Sequence, residues 1–222
     1  MTYSLAARDP QTGMFGIAVA SASIAVGNRC AWAAAGAGAI TTQNRTDIRV
    51  GPRGLALLSE GRTAQQVVDQ LVAESSHPEQ RQFAAVDAKG ATAFFSGPGI
   101  ESINAAFQGE YCVSTGNTLA NTAIPKAMVQ AYEAAAALPF ADRLLTALEA
   151  GRDAGGETKP AMAAGLRIVD KHSWPLVDLR IDYQEDPHGA LRALWRTYEP
   201  LVDRFVAQVL TPWEVKPRTA MT

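Results

Sequence analysis

The chain has 222 residues, 47% hydrophobic and 19% charged, which suits one domain with a sizeable core and excludes a disordered chain. Its formal charge of −2, with Lys and Arg scattered, excludes the concentrated basic face that a nucleic-acid partner requires. No apolar run approaches the ~20 residues of a membrane helix, and no basic stretch leading into an apolar core opens the chain, so neither a membrane nor a signal peptide is expected.

Thr2 to Arg8 alternates with a period near two and runs into Asp9-Pro10-Gln11-Thr12-Gly13, which is turn chemistry. Ile17, Val19 and the alanines between them then form a nearly all-apolar strand, so the chain opens on a hairpin whose second strand is covered on both faces. Ala25 to Arg29 reads as a turn. Cys30–Ala35 and Ala39–Thr42 read as small-residue strands that must pack closely. The polar run Thr41 to Asp47 follows directly, where site residues often lie, and Thr42 and Gln43 are its substrate-binding candidates.

Two helices follow. Pro52 suits a first turn and Gly61 a stop, while Thr63 with Gln66 forms a capping-box start for a helix with Val67, Val68, Leu71 and Val72 on one face. Strands are expected over Phe83–Val86 and Ala91–Phe95, and a short one over Tyr111–Val113. Ser114 to Thr118 reads as a loop able to aim backbone N–H groups at an oxyanion, or as a helix cap. A helix near Pro125 is expected to bury Ala127, Met128, Ala131, Tyr132 and Ala135, and the next helix to run from Pro139 to Gly151. Asp153 to Pro160 is rich in breakers and reads as mobile.

Strands over Met162–Val169 and Pro175–Ile181 come next. In the second, Val177, Leu179 and Ile181 alternate with Asp178, Arg180 and Asp182, a polar row that would either hold a charged substrate or form a structural ion-pair ladder. Asp186-Pro187 opens the last long helix, and Trp195, Tyr198 and Trp213 offer aromatic surface for a homo-oligomer. Segregated helices and hairpin-joined strands argue an α+β layered sandwich, a single domain over residues 1–210 followed by a loosely held tail over 211–222.

Cys30 and Cys112 are too few for a disulfide framework and are expected as buried free thiols, consistent with a cytoplasmic location. His77, His172 and His188 share no ligand spacing, so neither a metal nor another cofactor is expected.

The segments Thr2-Tyr3-Ser4, Ala7-Arg8-Asp9-Pro10, Gly16 to Ser21, Gly36 to Ala39, Gly51 to Leu55, Gly116-Asn117 and Val177 to Asp182 resemble an uncharacterised prokaryotic family, domain of unknown function 1028. That family is placed in the N-terminal-nucleophile hydrolase superfamily. The resemblance implies a four-layer α-β-β-α sandwich of two stacked antiparallel sheets. It also implies amide hydrolysis by the first residue of the mature chain, whose α-amine takes the proton of its own hydroxyl.

By position that nucleophile is Thr2, exposed once Met1 is trimmed. With Met1 in place the Thr2 nitrogen is a peptide nitrogen and no base. Ser4 and Ser21 supply hydroxyls nearby, and Asn117 would help to hold the oxyanion. The early lysine of the proteasome-like branch is absent, since the first lysine is Lys89. The implied partner is a small-molecule amide or peptide-like substrate. The alternative is a non-catalytic ligand-binding or scaffold protein that keeps Met1.

Overall fold

The computed structural model describes residues 1–215. The opening hairpin, β1 (Thr2–Arg8) and β2 (Phe15–Ser21), lies at its centre, with Tyr3 opposite Ala20 and Arg8 opposite Phe15. Its turn is made as its residues dictate: Thr12 Oγ1 donates to Asp9 Oδ2 at 2.6 Å, and Gly13 takes a φ of +79°. The residues after β2 form a short helix, α1 (Val26–Cys30), where a turn was expected. β3 (Ala31–Ala34) and β4 (Gly38–Asn44) follow.

α2 (Val50–Ser59) starts before Pro52, and α3 (Ala64–Glu74) begins at a complete Thr63/Gln66 capping box. β5 (Arg81–Asp87) and β6 (Thr92–Ser96) make the next hairpin. β7 (Asn104–Gly109) was not expected, and β8 (Cys112–Asn117) extends through the segment read as a loop. α4 (Ile124–Ala134) buries Ile124, Met128, Val129 and Tyr132, whereas Ala127, Ala131 and Ala135 lie at the margin of its buried face. α5 (Phe140–Asp153), β9 (Ala163–Val169), β10 (Val177–Ile181) and α6 (Pro187–Tyr198) complete the layers.

The last helix is not continuous. Pro200 lacks an N–H to continue the helical ladder, and a 3-10 turn over Glu199–Leu201 separates α6 from α7 (Val202–Leu210). Trp195 is buried, with Nε1 donating to Asp142 Oδ2 at 3.4 Å, and Tyr198 Oη donates to the Leu176 carbonyl at 3.3 Å. Trp195 is therefore core rather than the interface surface expected of it, while Trp213 is exposed. The expected tail lies beyond the described residues from position 216 onward.

Among the described residues every strand pairs antiparallel, in a six-stranded sheet of order β10-β9-β2-β1-β8-β7 and a four-stranded sheet of order β3-β4-β5-β6. The strand period of two sorts the side chains of β1. Tyr3, Leu5 and Ala7 pack with Met128, Leu144 and Leu148 of α4 and α5. Ala6 packs between the sheets with Ile17, Val19, Ala39, Ala84 and Val86, side chains small enough to let the sheets approach closely. On the far side, Ile40 and Phe83 meet Leu57, Leu58, Val67 and Leu71 of α2 and α3. Each such Leu or Ile contributes roughly 1.5–3 kcal/mol by leaving water. The result is the four-layer α-β-β-α sandwich, with β1 central in the larger sheet.

Candidate functional site

β1 begins at Thr2, between two neighbours. On one side Thr2 pairs with Asn117 of β8; on the other, the Tyr3–Ala20 register carries it opposite Ser21 of β2. Directly opposed side chains in a sheet share a face, so Thr2, Ser21 and Asn117 converge on the space between the sheets. All three are buried, Thr2 being 4% exposed. The hydroxyls of Thr2 and Ser21 lie 3.5 Å apart. Both donate to the Met1 carbonyl, Ser21 Oγ at 2.5 Å, and Ser21 Oγ accepts from the Ser23 N–H at 3.0 Å.

Behind Thr2 a polar chain crosses from sheet to sheet. Ser4 Oγ donates to Gln43 Oε1 at 2.9 Å, and Gln43 Nε2 donates to Gln82 Oε1 at 2.7 Å. Gln82 Oε1 also accepts from Asn117 Nδ2 at 3.3 Å, while Gln82 Nε2 donates to the Gly116 carbonyl and to Ser96 Oγ. Such a network sits in a low-dielectric interior, where satisfied bonds rigidify and orphaned ones are costly. Asn117 Oδ1 is buried with no hydrogen-bond partner among the described residues.

A cleft of about 380 Å³ opens where the strands of the two sheets end, lined by Met1, Asn44, Arg45, Gln80, Glu101 and Ser102 among others. Its walls come from the end of β4 and from the loop between β6 and β7. The expected binding residues are distributed differently. Thr42 and Gln43 lie within β4, fully buried, because the strand runs on to Asn44; Asn44 and Arg45 are the members of that polar run that reach the cleft. Gly116 and Asn117 are not in a loop. They belong to β8, paired on both sides by β1 and β7, so their backbone is committed to the sheet and Asn117 contributes its side chain.

Asp178 and Arg180 stand on β10, at the sheet edge. Three strand spacings of ~4.8 Å, about 14 Å, separate that edge from β1. Arg180 spends its guanidinium on Asp178, at 2.8 and 2.6 Å, and on Asn28 Oδ1 at 3.2 Å, so the polar row on this strand is a structural ion pair apart from Thr2. Among the described residues no group of His, Cys, Asp and Glu is placed to hold a metal ion, and no helix is long and apolar enough to cross a membrane.

Glu157 is the residue that sequence reasoning missed. It sits in the breaker-rich segment after α5, which is tied down rather than mobile: Ala120 N–H donates to the Gly156 carbonyl at 3.0 Å, Thr158 N–H to the Thr118 carbonyl at 3.1 Å, and Glu157 bridges to Leu119. Its Oε2 accepts from the Ala22 N–H at 2.6 Å. Burial pushes its carboxyl up to about 7, against the Ala22 N–H and the N-terminal amine, which pull it down. A lone acid among glycines carries no pattern, so nothing in the local sequence marks it.

On the helix side of β1, Tyr3 Oη and His188 Nε2 are 2.6 Å apart beside a cavity of about 190 Å³ that Glu157 also lines. Burial, with help from Arg152, lowers His188 to about 4, and burial raises the Tyr3 hydroxyl well above its usual range. Both are neutral near pH 7.

The model of a family of unknown function, DUF1028, matches residues 2–191. The chain belongs to the DUF1028 family. A solved DUF1028 structure, protein SPO2555 from Silicibacter pomeroyi, is 31% identical to this chain at a TM-score of 0.83, covering 89% of this chain and 85% of that one. Anbu, the ancestral beta-subunit, from Yersinia bercovieri is 12% identical at a TM-score of 0.40, covering 92% of this DUF1028 chain and 96% of that one. The Anbu Gly-1 mutant from Hyphomicrobium sp. strain MC1 is 11% identical at 0.40, covering 93% and 99%. At those scores the Anbu likenesses add nothing to the assignment. None of the curated proteins matches the sequence.

Proposed function

We propose that this DUF1028 protein hydrolyses amide bonds with Thr2 as an N-terminal nucleophile, released when Met1 is removed. One observation carries the reading. Thr2 stands at the open end of the central strand, flanked by Ser21 and Asn117, and the residue that blocks its nitrogen lines a cleft of about 380 Å³. Trimming Met1 turns a peptide nitrogen into an amine of pKa about 7.7–8.0, near enough to neutrality to serve as base.

The amine takes the proton from Thr2 Oγ1, and Oγ1 bonds to the substrate carbonyl carbon. Ser21 Oγ, which now donates to the Met1 carbonyl, becomes free to donate to the substrate oxygen as its charge develops. The ammonium then protonates the leaving nitrogen, the C–N bond breaks, and water takes the acyl group off Thr2 by the same relay. A cleft bearing Asn44, Arg45, Glu101 and Ser102 favours a small, polar amide or peptide-like substrate.

A second reading rests on the Met1 carbonyl, held by two hydroxyls as though it belongs there: Met1 stays, and the cleft only binds. Intact mass of protein made in its native host separates the two. Loss of Met1, with turnover of an amide panel abolished by Thr2→Ala, is the expected result. Retention of Met1 throughout, or full turnover in Thr2→Ala, overturns the nucleophile reading.

A further inference from the structure

Glu157 is 8% exposed, and its two carboxylate oxygens are unequal. Oε2 accepts from the Ala22 N–H at 2.6 Å, while Oε1 is buried without a hydrogen-bond partner among the described residues. An ionised carboxylate offers about four acceptor sites, and leaving half of them empty in the interior is costly unless a donor arrives.

The register says where that donor would come from. Tyr3 faces Ala20 in the β1–β2 pair, so the count places Ala22 opposite Met1, and the carboxylate on Ala22 sits beside the peptide that joins Met1 to Thr2. Among the described residues no Lys or Arg forms an ion pair with Glu157. Arg152, which lines the cavity next to it, is turned to Asp153 at 2.8 Å; Lys159, Asp186 and His188 line the same cavity, and Tyr3 Oη is engaged by His188. The cation that acts on it is the chain's own N-terminal amine, which sits on Met1 and would move one residue along, onto Thr2, when Met1 is removed.

The geometry points to Glu157 as the residue that holds the α-ammonium of Thr2 once Met1 is gone, a positioning residue beside the nucleophile. This rests on the Met1 removal proposed above. An ammonium brings three N–H donors, and one of them meets the vacant Oε1. During attack the proton passes from Thr2 Oγ1 to the amine. Glu157 stays ionised throughout, stabilising the ammonium as it forms and later releasing it to protonate the leaving nitrogen, much as a buried carboxylate steadies an imidazolium. With Met1 retained, burial holds the Glu157 midpoint up at about 7 although the Met1 amine and the Ala22 N–H pull it down.

The test reads the amine directly, without substrate. In Met-free protein labelled with 13C-threonine, the Thr2 Cα resonance, identified by its absence from Thr2→Ala, is followed against pH. An opposite charge at this range favours the charged form by about one pH unit or more, so the midpoint in Glu157→Gln is expected at least about one unit below wild type, with Glu157→Asp between. Equal midpoints in wild type and Glu157→Gln would overturn the inference.

Should Glu157→Gln not fold, the Glu157 carboxyl is titrated in wild-type protein with and without Met1. A fall of about one pH unit on Met1 removal is expected, and no change refutes the contact. Turnover that survives Thr2→Ala with the amine midpoint still moved defeats only the nucleophile reading. Thr2-dependent turnover with an unmoved midpoint defeats only the role of Glu157.

Discussion

Glu157→Gln in the protein that retains Met1 isolates two buried groups whose effects on stability run in opposite directions. Glu157 titrates at about 7 when folded against an ordinary 4.5. A carboxyl raised in this way contributes stability that is fully present below 4.5 and is lost as pH climbs through 7. His188 is lowered to about 4 from 6.5, so its contribution is present above 6.5 and is lost as pH falls through 4. At ~1.4 kcal/mol per pH unit each window spans about 3 kcal/mol. Between pH 4.5 and 6.5 the two slopes cancel, and the wild type is expected to show little change from this pair.

Glutamine keeps an acceptor for the Ala22 N–H but cannot ionise. The variant is therefore close to wild type at pH 4.5 and gains on it steadily, to about 3 kcal/mol at pH 8, while its own stability follows the remaining His188 slope upward from pH 4 to 6.5. Urea unfolding at half-unit pH steps, with the slope m held common, measures both trends. A difference between variant and wild type that is the same at pH 4.5 and pH 8 would refute the assignment of a high midpoint to this carboxyl.

Two further expectations concern packing and the polar layer. A Cβ on Gly51 would lie 2.2 Å from the Trp32 indole, so Gly51→Ala forces α2 away from β3 and is expected to lower stability by about 1–3 kcal/mol in the same unfolding assay; an unchanged midpoint refutes the close contact. Gln82→Leu strips the acceptor shared by Gln43 and Asn117 and leaves two buried donors unpaired. At about 1–3 kcal/mol per orphan, a loss of roughly 2–6 kcal/mol is expected, and a neutral outcome would mean that water or a rotamer change repairs the chain.

The layers were legible where one local rule decided the outcome. Asp186 accepts from the Gly189 N–H at 3.0 Å with Pro187 at the first helical position, as its sequence predicts, and Val177 and Leu179 face the core as their alternation requires. β7 was not legible because an edge strand needs little burial: Asn104 to Gly109 is half-buried or exposed and has no apolar alternation to read. The same loss of signal hid the far end of β8. Ser114, Thr115 and Asn117 look like loop residues, yet all are fully buried: Thr115 and Asn117 because the space between the sheets is polar near Thr2, and Ser114 on the opposite face against Met128 of α4. That layer joins Ser4, Gln43, Gln82 and Asn117 across the chain, and no window of sequence contains them together. Glu157 was hidden for a different reason: its partner is the backbone N–H of Ala22, a contact with no side-chain signature.

The placement of Thr2 within the sheet bears on what removal of Met1 would do. A nucleophile on a free chain end would lose its geometry to fraying, since termini are ordinarily the least ordered part of a domain. Here the residue next to it, Tyr3, is 1% exposed, paired with Ala20 on one side and with Gly116 on the other, and Leu5 beyond it is fully buried. The energy that fixes the backbone of Thr2 therefore comes from residues 3 to 7 and from two flanking strands, while Met1 engages its hydroxyl through the Met1 carbonyl. Cutting one peptide bond would change the Thr2 nitrogen from amide to amine and open the space that Met1 filled, while strand register holds the backbone of Thr2 between Ser21 and Asn117. On the proposed reading, the pairing of β1 sets the register beforehand, and removal of Met1 would supply the amine and free the hydroxyls of Thr2 and Ser21.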